Sequence, residues 1–229
     1  MSILYIVPTP IGNLEDITLR AVRILQEVDT IVCEDTRQTI KLLSHLKISK
    51  PLISFYTQNQ LKRIPQIIAM LKDGKNVALV SDCGTPAISD PGYFLIKEAL
   101  ENNINVVPLP GPCALITAVI ASGLPTDSFV FLGFLKRKPG KMRKELESAG
   151  QQKKTIIFYE SPHRLLKTLE ICKEVFGGNA NVVLARELTK KFEEFVRGNL
   201  DQVTKNMQKR EILGEFVVMI EAYEACFNS

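Results

Sequence analysis

Acidic and basic side chains follow two apolar runs that have the character of buried β-strands. Asp35 and Arg37 come directly after Thr30–Cys33, and Asp82 opens a turn-rich segment, 81–92, that follows Asn76–Val80. A carboxylate here would accept hydrogen bonds from the ammonium or hydroxyl groups of a ligand, or it would cap the next helix. For Asp35 both interpretations stay open. In parallel α/β sheets ligands bind outside the carboxyl ends of the strands, so we expect a ligand site here.

Two proline-rich loops follow other predicted strands. The first is 8–13, with Pro8, Pro10 and Gly12, and the second is 108–114, with three prolines around Gly111. Proline fixes φ and glycine permits a sharp turn, so both loops are stiff. They would serve either as walls of a ligand site or as rigid connectors.

Charged residues also follow two strands of the second half. Glu160 ends the run that begins at Thr155, while Arg186, Glu187 and Lys190 follow the run Asn181–Ala185. At strand ends these groups would serve acid–base or electrostatic catalysis. A solvated charge run and helix capping are the simpler interpretations.

The elements that must position these residues divide the chain in two. Up to about residue 122, short β-rich runs alternate with helical patterns, which include Leu14–Val28 and Ile64–Lys72, and this alternation predicts parallel βαβ units. Later strands have short connections and predict a mixed sheet. The expected fold class is therefore α/β with two domains, residues 1–120 and 121–229.

Composition limits the possible function. The 229 residues are 45% hydrophobic with a net charge of +4, which is typical of a globular protein and excludes a disordered or collagen-like chain. Residues 1–123 contain 11 basic and 11 acidic residues, so the whole excess lies in residues 124–229, with 18 and 14. Within 136–154 stand eight basic residues against two acidic ones. This basic segment is either a phosphate-binding surface or a soluble charged face.

Several kinds of site are not indicated. No glycine-rich nucleotide-phosphate motif is present, and the five scattered cysteines (Cys33, Cys83, Cys113, Cys172 and Cys226) with two histidines suggest reduced thiols and no metal. The amino terminus favours a strand over a signal peptide, and no apolar run approaches the ~20 residues of a spanning helix. We expect a cytoplasmic protein that does not enter membranes.

Six motifs in one order identify a resemblance. They are Pro8–Leu14, Cys33–Arg37, Ser81–Gly92, Pro110–Pro112, Tyr159–Arg164 and Ala185–Lys190. Over nearly its full length the chain is similar to small-subunit ribosomal RNA methyltransferases of the tetrapyrrole-methylase fold. The resemblance implies S-adenosylmethionine (SAM) in a cleft between two α/β domains, and a homodimer. It also implies 2′-O-methylation of a cytidine ribose in the decoding region, on free RNA or on the assembled small subunit, with no part for DNA.

The resemblance also implies roles for individual residues. SAM would contact Pro10, Asp82, Gly84, Thr85, Cys113, Ala114 and Ala185. Acceptor activation would fall to Glu160, Arg186, Glu187 and Lys190, with Asp35 and Arg37. RNA phosphates would contact Lys136, Arg137, Lys138, Lys141, Arg143 and Lys144. Cys83 and Cys113 depart from the expected alanine or serine, which weakens any role for a hydroxyl at 113.

Two other functions remain as alternatives. One is methylation of a small molecule, a tetrapyrrole, since a carboxylate-rich tetrapyrrole also favours positive charge. The proline-rich first loop favours the RNA branch over this one. The other is a SAM-sensing or RNA-binding module without catalysis, which the charged strand ends argue against.

Overall fold

The computed structural model describes residues 2–222, which form two compact units divided between Cys113 and Ala114. The first unit alternates strands and helices. Its elements are β1 (Ile3–Ile6), α1 (Leu19–Glu27), β2 (Thr30–Cys33), α2 (Thr36–His45), β3 (Leu52–Ser54), α3 (Gln60–Lys72), β4 (Val77–Leu79), α4 (Tyr93–Glu101) and β5 (Asn105–Pro108).

The first sheet has the strand order β3-β2-β4-β1-β5, and every neighbouring pair is parallel. β2 and β4 are buried on both faces, as an apolar strand between two helical layers must be. From β1 the chain moves to one side of the sheet, through β2 to β3, whereas the connection from β4 to β5 passes over β1 to the other side. The carboxyl ends of β4, β1 and β5 thus lie side by side at the place where such sheets bind ligands.

Two helices of this unit, α1 and α3, begin at residues that the sequence pattern did not predict. Instead of one helix over 14–28, a single 3₁₀ turn precedes α1, because the Thr18 hydroxyl caps the backbone N–H of Ala21. α3 begins at Gln60, four residues early, and accommodates Pro65. α4 begins after Gly92, which has a φ of +153° and is its N-cap residue.

The second unit begins with a helix. Its elements are α5 (Ala114–Ile120), β6 (Phe129–Phe134), α6 (Pro139–Gly150), β7 (Thr155–Glu160), α7 (Leu165–Phe176), β8 (Asn181–Arg186), β9 (Glu194–Asn199), α8 (Leu200–Gln208) and β10 (Phe216–Glu221). The sequence-based boundary at 120/121 falls at the end of α5, which groups with this unit.

The second sheet has the order β6-β7-β10-β8-β9 and is mixed. β7 is parallel to β6, and β10 is antiparallel to both β7 and β8. One face packs on α6, α7 and α8 in a single apolar core, and α5 packs against β10. Since β6, β7 and β8 run in the same direction, their carboxyl ends share one edge. The predicted class, α/β with a parallel and then a mixed sheet, is confirmed.

Two of the thiols are enclosed in these cores. Cys33 and Cys172 are buried, and burial raises the pKa of both. Cys226 lies outside the described residues. Between residues 2 and 222, no helix is both long and apolar enough to cross a bilayer.

Candidate active site

Three loops at the carboxyl edge of the first sheet are joined by hydrogen bonds. Thr9, after β1, forms a two-bond bridge with Gly84, after β4, at 2.9 and 3.0 Å. The Thr9 hydroxyl donates to the Ser81 carbonyl, and the Ser81 hydroxyl donates to the Gly84 carbonyl, both at 3.0 Å. We call residues 8–11, 81–85 and 111–112 the rim.

The loop after β5 completes the rim. The Thr85 hydroxyl donates to the Pro112 carbonyl at 2.9 Å. Gly111 lies so close to Pro8 that a Cβ at 111 would stand 2.7 Å from the Pro8 Cβ. Gly84 has a φ of +88°, and a Cβ there would stand 3.2 Å from Ile11. Glycine is therefore required at both positions, and the prolines hold a packed structure rather than a loose connection.

A fourth loop, after β2, is tied to the rim by a carboxylate. Asp82 Oδ1 accepts the backbone N–H of Asp35 at 2.9 Å. The Asp35 side chain caps α2 through the backbone N–H of Arg37 and binds the Arg37 guanidinium, with a shortest contact of 2.6 Å. The hydrogen bonds from Arg37 lower the pKa of Asp35 to about 2. Asp35 is thus a helix cap and an ion-pair partner at once.

Negative charge accumulates at this edge. Burial, with a further contribution from the nearby carboxylates of Glu34 and Asp82, raises the pKa of Asp90 to about 6. Burial likewise raises the pKa of Asp82 and of Glu34, and Asp35 adds to both shifts. Such a site favours a cationic ligand or one that donates hydrogen bonds.

Glu160, at the end of β7, is a buried carboxylate with 2% of its surface exposed. It accepts the Thr168 hydroxyl at 2.7 Å and the Ser161 backbone N–H at 2.8 Å, and Arg164 lies 3.3 Å away. Its oxygens are therefore occupied by groups that begin α7. These contacts favour a positioning role.

Glu187 and Lys190 form a second cluster, just after β8. Lys190 Nζ lies 3.1 Å from carboxylate oxygens of both Glu187 and Glu215, and Glu187 also accepts the Glu215 backbone N–H. Partial burial raises the pKa of Glu187, but the hydrogen bonds from Glu215 and Lys190 outweigh it, and the net shift is downward. Burial lowers the pKa of Lys190, whereas its two carboxylate partners raise it, with a net upward shift.

The backbone of this turn is unusual. Glu187 and Thr189 both have positive φ, 49° and 64°. Gly214 permits the close approach of Glu187, whose Cγ would lie 2.5 Å from a Cβ at 214. Strained non-glycine residues of this kind concentrate at functional sites.

Arg186 ends β8 beside this turn. Its Nε donates to the Leu213 carbonyl at 2.6 Å, and its guanidinium lies 3.6 Å from Glu194, which also binds Arg210 at 2.7 Å. One oxygen of Glu194 is taken by each arginine. Arg186, at the end of β8, and Lys190, just after it, are thus two cations whose side chains are held by ion pairs with neighbouring segments.

The basic segment differs from these clusters because most of its cations are exposed. Lys136, Arg137, Lys138, Lys141 and Lys144 are exposed, and within residues 2–222 none of them forms an ion pair. Arg143 is half-buried and bound to Glu174. Five of the six cations assigned to RNA from the sequence are therefore available to a ligand.

The candidate residues fall into two groups, one in each unit. The first unit places Pro10, Asp82, Gly84 and Thr85 on or beside the rim, Asp35 and Arg37 next to it, and Cys113 at its last residue. In the second unit, Glu160 and Arg186 both pair with Phe216 of β10, so they lie at the same sheet edge, and Ala185 is buried within β8. Ala114 begins α5.

Sequence reasoning missed several participants. Thr9 and Ser81 hold the rim through their hydroxyls, and Glu194, Arg210 and Glu215 complete the clusters after β8. A Gly at 214 before an acidic residue was the one local signal for Glu215. Among residues 2–222 no group of three or more histidine, cysteine or acidic residues has a geometry that would hold a metal ion.

Comparison with known proteins matches both the sequence and the fold. The family model of the tetrapyrrole (corrin/porphyrin) methylases matches residues 3–204. A protein named ribosomal RNA small subunit methyltransferase I from Halalkalibacterium halodurans is 50% identical over 95% of this chain and 75% of its own length. The protein of the same name from Thermotoga maritima is 48% identical over 98% of this chain and 100% of its own.

Solved structures extend the likeness to the fold. The structure of uroporphyrin-III C-methyltransferase from Thermus thermophilus, complexed with S-adenyl homocysteine, has a TM-score of 0.66 and 16% identity. The match covers 97% of this chain and 98% of the chain in that structure. The chain therefore belongs to the tetrapyrrole methylase family, in the group of the ribosomal RNA small subunit methyltransferases I.

Proposed function

We propose that this chain transfers the methyl group of SAM to ribosomal RNA of the small subunit. The observation that carries the proposal is the identity of 48–50% over nearly the whole chain to proteins named for that activity. The likeness to a uroporphyrin methylase, at 16% identity, extends to the fold alone. RNA is thus favoured over a tetrapyrrole as the substrate.

The rim and the residues beside it suit SAM as the donor. SAM carries no phosphate, so it needs no glycine-rich phosphate loop. Its ammonium and its ribose hydroxyls are hydrogen-bond donors, and its sulfonium is a cation, which match the carboxylates of Asp82 and Asp90. Backbone groups of Pro10, Gly84 and Thr85 would hold the rest. Cys113, Ala114 and Ala185 complete the proposed set of SAM contacts.

The proposed acceptor is the 2′-hydroxyl of a cytidine in the decoding region. Its oxygen attacks the methyl carbon of SAM, the carbon–sulfur bond breaks, S-adenosylhomocysteine leaves, and the hydroxyl proton passes to a base. The methyl group is already activated, so the enzyme contributes mainly alignment of the reactants and exclusion of water. A ribose hydroxyl is a weak acid, and a base or a positive field lowers the barrier further.

We assign acceptor activation to the cluster after β8. Oε1 of Glu187 accepts hydrogen bonds from Lys190 and from the Glu215 backbone N–H, and we assign Oε2 of the same carboxylate to receive the hydroxyl proton. Lys190 and Arg186 supply the positive field that stabilises a developing alkoxide. Asp35, with its pKa near 2, is a weak base, so with Arg37 it would orient substrate.

The basic segment is the proposed RNA-binding surface. The exposed cations at 136, 137, 138, 141 and 144 would contact phosphates, which makes affinity fall steeply with salt. The double variant R137E/K138E should bind a small-subunit RNA fragment more weakly and with a shallower salt dependence than the parent. K72E/K75E, with the same charge change at exposed positions of the first unit, should bind as the parent does. An equal loss of RNA affinity in both double variants would contradict the assignment of the basic segment as the RNA-binding surface.

One labelling experiment tests the substrate. The protein is incubated with methyl-labelled SAM and naked small-subunit RNA, assembled small subunits, or uroporphyrinogen III. Nuclease digestion and chromatography then locate any label. Label on a cytidine ribose supports the proposal, and comparison of the two RNA arms identifies the physiological substrate. Label on the tetrapyrrole alone would contradict the proposal and favour the alternative function, methylation of a tetrapyrrole.

A homodimer and a cytoplasmic location accompany the proposal. The dimer derives from the family resemblance, and sedimentation equilibrium would measure it directly. A cytoplasmic location follows from the proposed RNA substrate, and cell fractionation would test it.

A further inference from the structure

Phe134, the last residue of β6, has 56% of its surface exposed. The other five residues of β6 are half-buried. An exposed ring at the end of a strand leaves a flat aromatic face open to a ligand.

A β-bulge places Phe134 where it is. Phe131 pairs with Ile157 and Phe134 pairs with Tyr159, so three steps along β6 match two along β7. Gly133 supplies the extra residue with a φ of +62°. Because of this insertion, Phe134 lies directly opposite Tyr159 and shares a face of the sheet with it.

Tyr159 holds the ring of Phe134 in place. The two ring centroids are 5.6 Å apart with planes at 62°, and Tyr159 makes a similar edge contact with Phe131 at 5.0 Å and 68°. Edge contacts of this kind orient a ring without enclosing it. Phe134 is therefore both accessible and pre-oriented, which reduces the entropy cost of binding a flat partner.

Exposed cations follow Phe134 in a loop of fixed shape. Lys136, Arg137 and Lys138 are exposed and, among the described residues, have no acidic partner. The loop itself is held at two points, where Arg164 donates to the Leu135 carbonyl at 3.0 Å and Glu145 accepts the Lys136 backbone N–H at 3.1 Å. An aromatic ring beside fixed cations is the arrangement that binds single-stranded nucleic acid.

The ring also lies at the sheet edge that bears the proposed acceptor-activating cluster. β6 and β8 are three positions apart in the sheet order and both end at this edge. With neighbouring strands ~4.8 Å apart, the ends of β6 and β8 are roughly 14 Å apart. A base on Phe134 would belong to a neighbour of the methylated nucleotide.

We infer that Phe134 is a stacking platform for an unpaired base of the RNA substrate, close to the nucleotide that is methylated. The inference rests on the proposed RNA substrate and adds a contact that reads the flat face of a base instead of its phosphate. The adjoining positive charge favours this occupant over an apolar protein surface.

The test removes the aromatic ring in one variant and enlarges it in another. F134L retains an apolar side chain, and F134W retains and enlarges the aromatic face. The matched control is Phe94 of α4, which is 48% exposed and makes an edge contact with Tyr93 at 5.2 Å and 66°. Its neighbours Lys97 and Glu101 pair with each other, and in the described chain Phe94 is not followed by a run of exposed cations as Phe134 is.

Affinity for a small-subunit RNA fragment, measured by fluorescence anisotropy over a range of salt, should fall roughly 5- to 150-fold in F134L. The slope against salt should stay that of the parent, because no phosphate contact is lost. SAM affinity and thermal unfolding should not change. F94L should bind RNA as the parent does.

F134W gives a direct signal, because the natural chain has no tryptophan. Its fluorescence should be quenched by RNA, while that of F94W should not. Parental RNA affinity in F134L, or no quenching in F134W, overturns the inference and leaves the proposed function standing. A parent protein that neither binds nor methylates RNA overturns both.

Discussion

The carboxylate of Asp82 accepts the backbone N–H of Asp35 at 2.9 Å, across 47 positions of the chain. This bond joins the loop after β2 to the loop after β4, whose strands are neighbours in the sheet. One oxygen of Asp82 thus has a structural task, and the carboxylate charge is still available to a ligand.

Two substitutions of Asp82 separate these tasks. Asp82→Asn keeps an oxygen that accepts the Asp35 N–H but removes the charge, whereas Asp82→Ala removes both. We expect both variants to lose at least about tenfold in SAM affinity by calorimetry, as for loss of a charge-assisted hydrogen bond. Asp82→Ala alone should also lose about 1 kcal/mol of stability in urea. Parental SAM affinity in Asp82→Asn would remove its carboxylate from the donor site.

Gly111→Ala should disturb the rim. The added Cβ would stand 2.7 Å from the Pro8 Cβ, so the loop must shift, at a cost of about 1–3 kcal/mol in unfolding free energy. SAM affinity should fall with it. Gly140→Ala is the control, because a Cβ there meets nothing within 4 Å. Equal stability of the two variants in urea titrations would contradict the packed rim.

Asp90 should make stability depend on pH. Its pKa in the folded protein is about 6, above the ordinary value of 3.8, so the folded state retains the proton that the unfolded chain releases. Stability from this group is therefore full below about pH 4 and is lost as the pH rises through about 6. Asp90→Asn should remove this loss and gain on the order of 1 kcal/mol well above pH 6, the partial exposure of the group being allowed for.

The measurement is the urea midpoint at a series of pH values. Asp73→Asn, at an exposed carboxylate after α3, serves as the control and should follow the parent curve. A parallel shift of the Asp90→Asn curve at every pH would mean that the charge of Asp90 is not the cause.

Glu160 and Glu187 should respond in opposite ways to replacement by glutamine. Glu160→Gln disrupts a buried cluster around Thr168 and should cost about 1–3 kcal/mol of stability, with methyl transfer per folded molecule nearly kept. Glu187→Gln should keep most of the stability and lose at least about tenfold in methyl transfer, in the range of a lost base. The reverse pattern would return Glu160 to acceptor activation and exclude Glu187.

The sequence predicted the order and type of strands and helices better than it predicted the contacts within the candidate site. Alternation of apolar runs and helical patterns predicts both sheets, because a strand buried on both faces must be apolar and a crossover needs a helix. Helix starts were less predictable. The start of α1 depends on the hydrogen bond from the backbone N–H of Ala21 to the Thr18 hydroxyl, which is a local geometry that periodicity does not express.

Site contacts between distant residues were beyond local reasoning. The proline-rich loops were recognisable as stiff, but nothing in their sequence indicates that Thr9 bonds to Gly84 or that Gly111 packs on Pro8. Glu160 was a reasonable catalytic candidate by its position at a strand end, and only its burial and its partners reveal that its oxygens are occupied. Phe134 carries no charge, so the pattern of ionisable residues at strand ends did not indicate it.

The rim also has a consequence for the order of folding. Its members come from three segments, and the bond from Thr9 to Ser81 spans 72 positions of the chain. The rim is complete only when β4 and β5 have both joined β1, and closing such long loops is slow. The rim is therefore among the last features of the first unit to assemble, so a newly made chain would gain its affinity for the methyl donor only when that unit is complete.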